Sequence, residues 1–429
     1  MLSMLLKLTV CWVALPVLAQ EALTLQQAVS MALDGPGNLD VQLAQTGVSQ
    51  AEAQSAGARA LLFPTLGLSA TEQDQSRNLG AEGFRFADLP GFRIPAQVGP
   101  YNTFDSRASL QQTVFNAALL VRRKSFRFNA RAQKLAEQQT RESVAAKVAH
   151  AYLDILRRRR MLENVRADIA FAEGKVSIAR ELLAAGKNIP VDVSAAMTDL
   201  REVRVRESDE RAAYRKAKLV LLDLCNLELT ADFEPVSIAP LENGNTKESV
   251  LSRPDIASAE SQAESARTVD RALQLERLPT VSAYADAGVF GGVETHTIGV
   301  SVNLNVFDGG RRAARRAEAL GVLRQEQIKV KQLQRKAQLE LAQAELDIQS
   351  AKEQLSIARE NRQAATEALE HAQRMVRVGG FDRLLELQSI NRTAHAKYEE
   401  SLAEIRLDEA RLGSAEATSS VVDLIRPAR

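Results

Sequence analysis

The sequence predicts a mainly α-helical chain with a small transmembrane β part: long antiparallel coiled-coil helices plus four β-strands per protomer. Three observations predict it. Heptad rows of alternating small and large apolar residues run for tens of positions. Four segments alternate between apolar and polar residues, as a half-lipid-facing strand does. Both patterns occur twice, in the same order.

Composition sets the frame. Only 4% of the 429 residues are aromatic, while Ala, Gln, Leu, Arg and Glu recur in long stretches. That is the profile of extended helices rather than of two or three globular cores. A net charge of +1 gives the whole chain no field for a polyanion.

Residues 1–19 read as a secretory signal peptide. Lys7 supplies a thin positive region, Leu8–Leu18 the apolar core and Val17-Leu18-Ala19 a small-residue cleavage site. No cysteine follows that site, so a lipidated N-terminus is not expected. The apolar core is too short to span a bilayer, and no later run approaches the roughly 20 apolar residues a spanning helix needs. A transmembrane β-structure stays open, because its signal is weaker. Cys11 leaves with the signal, so Cys225 stands alone and no intramolecular disulfide is possible. With four scattered histidines (His150, His296, His371, His395), no metal site and no other cofactor is expected.

The spacings reveal two repeats, 20–240 and 241–429. Asp40 to Pro64 is 24 residues, and so is Asp255 to Pro279. Phe115 to Gly186 is 71 residues; Phe307 to Gly380 is 73. The first repeat reads as a helix, strand 64–72, a long loop 73–103, strand 104–115, a long helix 117–185, a turn 186–190 and a helix 191–229. The second reads as helix 254–277, strands 280–290 and 297–307, a long helix 309–378, a turn 379–382, a helix 383–415 and a C-terminal tail. Turn residues without a period, roughly Asp232–Asn245, join them.

Thr24 and Gln27 make a capping box for the first helix, and Asn116 and Asp308 fit as N-caps of the two long helices. The strands follow from alternation. Ile298, Val300, Val302, Leu304 and Val306 share one face; Thr297, Gly299, Ser301, Asn303 and Asn305 share the other. Val281, Ala283, Ala285, Ala287 and Val289 form a similar row, and Thr65–Thr71 and Ser106–Val114 repeat the plan, with Gln112 interrupting it. Four strands cannot close a barrel, and an open edge cannot sit in lipid. Known barrels begin at eight strands, so several protomers must share one; three would give twelve strands.

The long helices carry seams. Ala337, Ala344, Ala351, Ala358, Ala365 and Ala372 recur every seven residues, interleaved with Leu341, Ile348, Leu355, Leu369 and Val376. The first repeat answers with Val148, Ala151, Ile155, Leu162, Val165, Ile169, Ala172, Val176, Ala179 and Leu183. Arg158 and Arg362 break these seams and read either as register-setting polar residues or as marks of a local rotation of the helix. The Arg157–Arg160 run points nearly all round a helix, so nucleic acid is not an expected partner.

In this order and duplication the chain resembles the TolC-type outer-membrane efflux proteins. Leu23-Thr24-Leu25-Gln26-Gln27-Ala28, the Arg253-Pro254-Asp255 helix start and the twin helix-turn motifs carry the resemblance over essentially the whole mature chain. It implies a homotrimer with a 12-stranded β-barrel in the outer-membrane lipid and an α-helical periplasmic tunnel. A periplasmic adaptor and an inner-membrane transporter of RND, ABC or MFS type would dock at the tunnel's far end, formed by the turns. Gly186, Lys187, Gly379, Gly380, Phe381 and Asp382 are the implied docking turns. Asp192 and Glu386 match the family's constricting acids, while Ser389 stands where members can carry a second acid. Both acids also sit where a carboxylate complements a helix N-terminus, so capping and gating stay open for each. No phosphate loop or nucleophile-base set points to an enzyme. The rival class is a periplasmic coiled-coil scaffold or adaptor, but the small β-module an adaptor would need is not visible.

Overall fold

The computed structural model describes residues 22–34, 37–79, 81, 83, 97–238, 240–241, 253–377 and 383–426. The signal peptide, the end of the inter-repeat join (242–245) and the turn residues Gly379, Gly380, Phe381 and Asp382 lie outside the described residues.

The elements run β1 (Ala22–Leu23), α1 (Leu25–Leu33), α2 (Leu39–Ala60), β2 (Thr65–Asn78), β3 (Gln97–Phe115), α3 (Ala117–Ala184) and α4 (Pro190–Leu224). They continue with β4 (Glu234–Pro235), α5 (Pro254–Leu275), β5 (Thr280–Phe290), β6 (Val293–Asn303), α6 (Arg311–Arg377), α7 (Arg383–Thr418) and α8 (Val421–Ile425). At about 1.5 Å per residue the 68 residues of α3 rise roughly 100 Å. No described helix is long and apolar enough to cross a membrane.

The chain condenses into two compact units, each drawing on both repeats. The first combines Met1–Gln45, Ala136–Ile256 and Gln332–Arg429. Its core gathers Val29 of α1, Val144, Val148, Tyr152, Leu153 and Ile155 of α3, Leu221 of α4, Leu412 of α7 and Val421 of α8. The expected capping box starts α1: Gln27 N–H donates to Thr24 Oγ1 at 3.2 Å, and Thr24 N–H donates to Gln27 Oε1 at 2.9 Å. Tyr152 ties the short parallel pair β1–β4 to this core. Its hydroxyl lies 2.7 Å from both Leu23 O and Val236 O, and burial pushes its pKa up to about 12.

The seam alanines at 337, 344, 351, 358, 365 and 372 are all buried. Ala351, Leu355 and Ala358 pack on Ala403 and Leu407 of α7. Both seam-breaking arginines pair with the returning helix: Arg158 Nη1 lies 3.5 Å from Glu210, and Arg362 Nε lies 2.6 Å from Glu400. The Arg157–Arg160 run disperses as a helix requires. Arg157 pairs with Asp154 and Glu409, Arg159 donates to Pro235 O, and Arg160 pairs with Glu163.

The second unit, Thr46–Leu135 with Ala257–Lys331, holds the sheet in the order β2-β3-β5-β6, antiparallel throughout. Asn116 caps α3 as expected. Asp308 instead stands three residues before Arg311, the start of α6, rather than at its N-cap, and reaches the first turn only through its carboxylate. Asn116 Oδ1 accepts from Leu119 N–H at 2.9 Å, and Asp308 accepts from Arg312 N–H at 2.9 Å.

The strand boundaries need correction. The strand expected at 64–72 runs Thr65–Asn78, that expected at 104–115 begins at Gln97, and the loop at 73–103 shrinks accordingly. Glu72–Arg77 are polar on both faces, so hydropathy stops alternating while the ladder continues. Glu72 faces Phe104, and Asn102 Nδ2 donates to Glu72 at 2.7 Å. The strand expected at 297–307 runs Val293–Asn303. Gly291 and Gly292, at φ +57° and +86°, make a two-residue turn that starts pairing at Val293. Pairing ends at Asn303 because its partner β5 begins at Thr280.

Helix ends shift for local reasons as well. Gly309 and Gly310 have positive φ, which starts α6 at Arg311 rather than 309. The helix expected to reach 229 stops at Leu224, where Asn226 takes φ +53° and Leu227 N–H donates to Leu222 O at 2.9 Å. In α7 the helix runs past 415 to Thr418. Ser419 at φ +51° closes it with Ser420 N–H donating to Ala415 O, and α8 occupies part of the expected tail. Both are Schellman ends, one per repeat.

Candidate functional site

The sheet presents two chemically distinct faces. One row across all four strands reads Leu66, Leu110, Ala285, Ile298. Its neighbours on that face include Leu68, Ala108, Ala287, Ala283, Val300, Val281 and Val302. Leu66 is 73% exposed and Ile298 83%. An apolar face this open has water as the wrong neighbour. The opposite face carries Gln111, Tyr284, Ser109, Asp286 and Thr297. There Arg107 Nε donates to Asp105 at 2.6 Å, and its Nη1 lies 3.9 Å from Asp286. Apolar-out and polar-in at period 2 is the pattern of a channel barrel wall. In this sheet β2 and β6 each have one unpaired edge, which lipid does not tolerate.

At the far end of α3, Gly186 takes φ +68° with open space where a Cβ would stand. Lys187 N–H donates to Leu182 O at 2.8 Å and Gly186 N–H to Leu183 O at 3.0 Å, a Schellman turn that releases the chain into α4. Pro190 opens α4 as its first residue. Asp192 is exposed in the first turn, where its carboxylate accepts from Ile189 N–H at 3.4 Å. Half of a capping box is therefore present, since Ile189 has no acceptor to complete it. Glu386 occupies the corresponding first turn of α7, half-exposed. Among the described residues no bond joins Asp192 to Glu386. Ser389 donates to Leu385 O at 2.8 Å and stays on its own helix.

What sequence reasoning missed is a clasp between α7 and α3. Arg383 Nη1 pairs with Glu181 at 3.1 Å, Leu387 packs against the bare Cα of Gly174, and His395 Nε2 lies 2.8 Å from Asp168. Asp168 is buried and also meets Arg206 of α4 at 3.7 Å, so one carboxylate ties three helices. These contacts join residues 202 to 227 positions apart. Only the rarity of a glycine inside a long helix, at Gly174, hinted at a close approach.

The family model for outer membrane efflux proteins matches residues 31–226 and 246–414. The chain belongs to that family. Solved structures agree on the fold. The Campylobacter jejuni CmeC outer membrane channel superposes with a TM-score of 0.77 at 16% identity, covering 92% of this chain and 85% of that one. VceC, an outer membrane protein of Vibrio cholerae, gives 0.76 at 18% identity, covering 92% and 96%. The open-state MtrE outer membrane channel of Neisseria gonorrhoeae gives 0.71 at 16%, covering 93% and 89%. No curated protein matches the sequence at a significant level. The protein is thus an outer-membrane efflux channel, whose family works as a trimer with adaptor and inner-membrane transporter partners. Its four-stranded sheet is one third of a barrel that exists only in the trimer.

Proposed function

We propose that this efflux channel is a passive duct whose periplasmic end is narrowed by Glu386 and Asp192. The carrying observation is the clasp. It presses the first turns of α7, and with them Glu386, onto α3 through Arg383–Glu181 and Leu387–Gly174. Three copies of Glu386 around a narrow axis would repel one another and favour cations. Asp192 divides its carboxylate between the Ile189 N–H and the opening, so its share of the gate is the smaller.

The turns at Gly186-Lys187 and at Gly379, Gly380, Phe381 and Asp382 would receive the periplasmic adaptor, with an RND, ABC or MFS-type transporter behind it. The duct itself does no chemistry, and energy and selection come from the transporter. The neisserial relative is described as a channel in an open state, which supports a change of state at a gate.

Purified protein in a planar bilayer tests this reading. The expected result is a small cation-selective current that rises in Glu386→Ala with weaker cation preference, and rises less in Asp192→Ala. A wild-type current unchanged by Glu386→Ala would remove the gate and leave the duct.

A further inference from the structure

Where α3 leaves the sheet it opens with a run of like charge. Residues 116–135 hold six basic side chains and no acidic one, although the whole chain carries a net charge of only +1. In its own copy this stretch is flanked on two sides. Glu52 of α2 pairs with Lys134 at 2.6 Å, and Ser258 and Ser265 of α5 donate to Ala132 O and Ser125 O at 2.8 and 3.0 Å. Two faces of the helix stay open.

The first looks into a cavity shared with α5 and α6, whose lining includes Asn116, Leu119, Arg122, Leu273 and Thr280. Thr280 alternates with Ser282 and Tyr284 along β5, so the cavity lies on the polar side of the sheet. The second face carries Leu120, Lys124, Arg127 and Arg131, whose spacings of four, three and four make one stripe on a helix. The stripe lies about half a turn round the helix from Arg122. It therefore shares the side of Phe115, which pairs with Val281 in the apolar row. On α5 the same side carries exposed Arg271 nearest the sheet, with the acids Glu260 and Glu264 further along.

Along the stripe, character changes in the order a bilayer imposes. Leu120 is 41% exposed and continues the apolar face of the barrel wall. Lys124, Arg127 and Arg131 follow about 6, 10 and 16 Å further along the axis. All three are exposed, and among the described residues none has an ion-pair partner. A bilayer's headgroup zone is roughly 5–8 Å deep on each side, and long basic side chains reach back towards it. With Leu120 at the acyl chains, Lys124 and Arg127 fall at headgroup level. Arg131 stands within about one Debye length of that level.

We propose that Lys124, Arg127 and Arg131, with Arg271 on the neighbouring helix, form a docking surface for anionic phospholipid headgroups of the periplasm-facing leaflet. Two observations select this occupant. The stripe continues the lipid-facing side of the sheet, and its unpaired cations complement phosphate groups that carry net negative charge. The proposal rests on the membrane barrel and is independent of the acidic gate.

A tryptophan reporter tests it in the full-length protein. Trp12, the chain's one tryptophan, lies in the predicted signal peptide, so Leu120→Trp gives a single emitter beside the stripe. The protein is reconstituted in vesicles of equal parts phosphatidylcholine and phosphatidylglycerol, with one or the other lipid brominated. Brominated phosphatidylglycerol is expected to quench roughly threefold more strongly than brominated phosphatidylcholine. That preference should fade as salt rises from physiological to about 1 M. It should also vanish in the combined Lys124→Gln, Arg127→Gln, Arg131→Gln variant. The combined Lys124→Arg, Arg127→Lys, Arg131→Lys variant, which keeps the charges, should retain it. Each variant is compared as a trimer of native mass, so a lost preference is not a failure to fold. Equal quenching by the two lipids, or a preference that survives the glutamine variant, overturns the docking surface. No quenching by either lipid would place the stripe in water and overturn it as well.

Discussion

Two stretches of the same helix, α3, are held in contrasting ways. Between Val144 and Leu156 it is enclosed: Val144, Val148, Tyr152, Leu153 and Ile155 are fully buried among α1, α4, α7 and α8. From Val165 towards Ala184 the apolar clusters shrink to a few residues: Val165, Ala172 and Val203, then Val176, Ala179 and Ala196. What remains there is largely ionic, with Lys175–Asp199, Arg204–Glu173 and Arg383–Glu181 all exposed at both ends. Exposed pairs contribute about 0–1 kcal/mol each. The middle fixes the protomer, and the end towards the turn is held by contacts that can exchange for water at small cost. A channel needs that asymmetry if its end is to change state while its wall stays closed.

The largest break of this contrast is Leu153→Ala. A buried leucine reduced to alanine costs about 2–5 kcal/mol, with the upper half of that range expected where nothing can collapse into the space. The measurement is the thermal or denaturant midpoint of the purified channel, beside Val203→Ala near the turn. Val203 sits in a three-residue cluster, and its truncation is expected to cost well under half as much. Equal losses would erase the distinction between the two stretches.

Next comes Tyr152→Phe, which keeps the ring and removes only the hydroxyl between Leu23 O and Val236 O. Leu23 O still accepts from Val236 N–H, at 3.2 Å, so one carbonyl keeps a partner. The expected loss is about 1–2 kcal/mol, with the N-terminal strand loosening first. Hydrogen exchange at Leu23 and Val236 would show it. Unchanged protection there would mean that the strand pair holds itself.

The contrast also explains what the sequence showed. Heptads, caps and alternating strands are local patterns, and Ala337 to Ala372, Thr24–Gln27 and Asn116 could be read because each rule operates within a few residues. The extension of β2 to Asn78 was hidden, because a ladder with polar residues on both faces leaves no period. The clasp was hidden for a different reason. Asp168–His395 and Glu181–Arg383 bring together residues from different repeats, and no spacing rule connects them. Of the two proposed gate acids, Asp192 was legible from its own neighbours as a first-turn carboxylate, which is also what its bond to Ile189 makes it.

The clasp supplies the third test. Asp168→Ala removes one buried carboxylate but leaves His395 and Arg206 in reach of water, since their side chains are 44% and 57% exposed. The stability loss should stay near ~1 kcal/mol rather than the larger cost of a stranded buried charge. Combined with Arg383→Ala it is expected to raise single-channel conductance with little change in melting. A large drop in melting with unaltered current would make the clasp a structural brace.

The smallest effect belongs to the joint between the two helices nearest the enclosed middle. His150 Nε2 lies 2.5 Å from Glu416 Oε1, tying α3 to α7. That hydrogen bond raises the His150 pKa above its ordinary 6.5, burial opposing and the charges of Glu416 and Glu409 assisting. Because the folded value lies above the unfolded one, the pair's contribution is fully present below about pH 6.5 and is lost as pH rises through the raised folded value. Both side chains are nearly half exposed, 48% and 40%, so the contribution is a few tenths of a kcal/mol after screening by solvent. Melting midpoints at pH 5.5 and 8.5 should therefore differ slightly more in the wild type than in His150→Gln, which keeps a donor but cannot titrate. A wild-type difference equal to that of His150→Gln would show that Glu416 gains nothing from a charged partner. The α3–α7 joint near Leu412 would then rest on apolar contacts and on the Arg157–Glu409 pair.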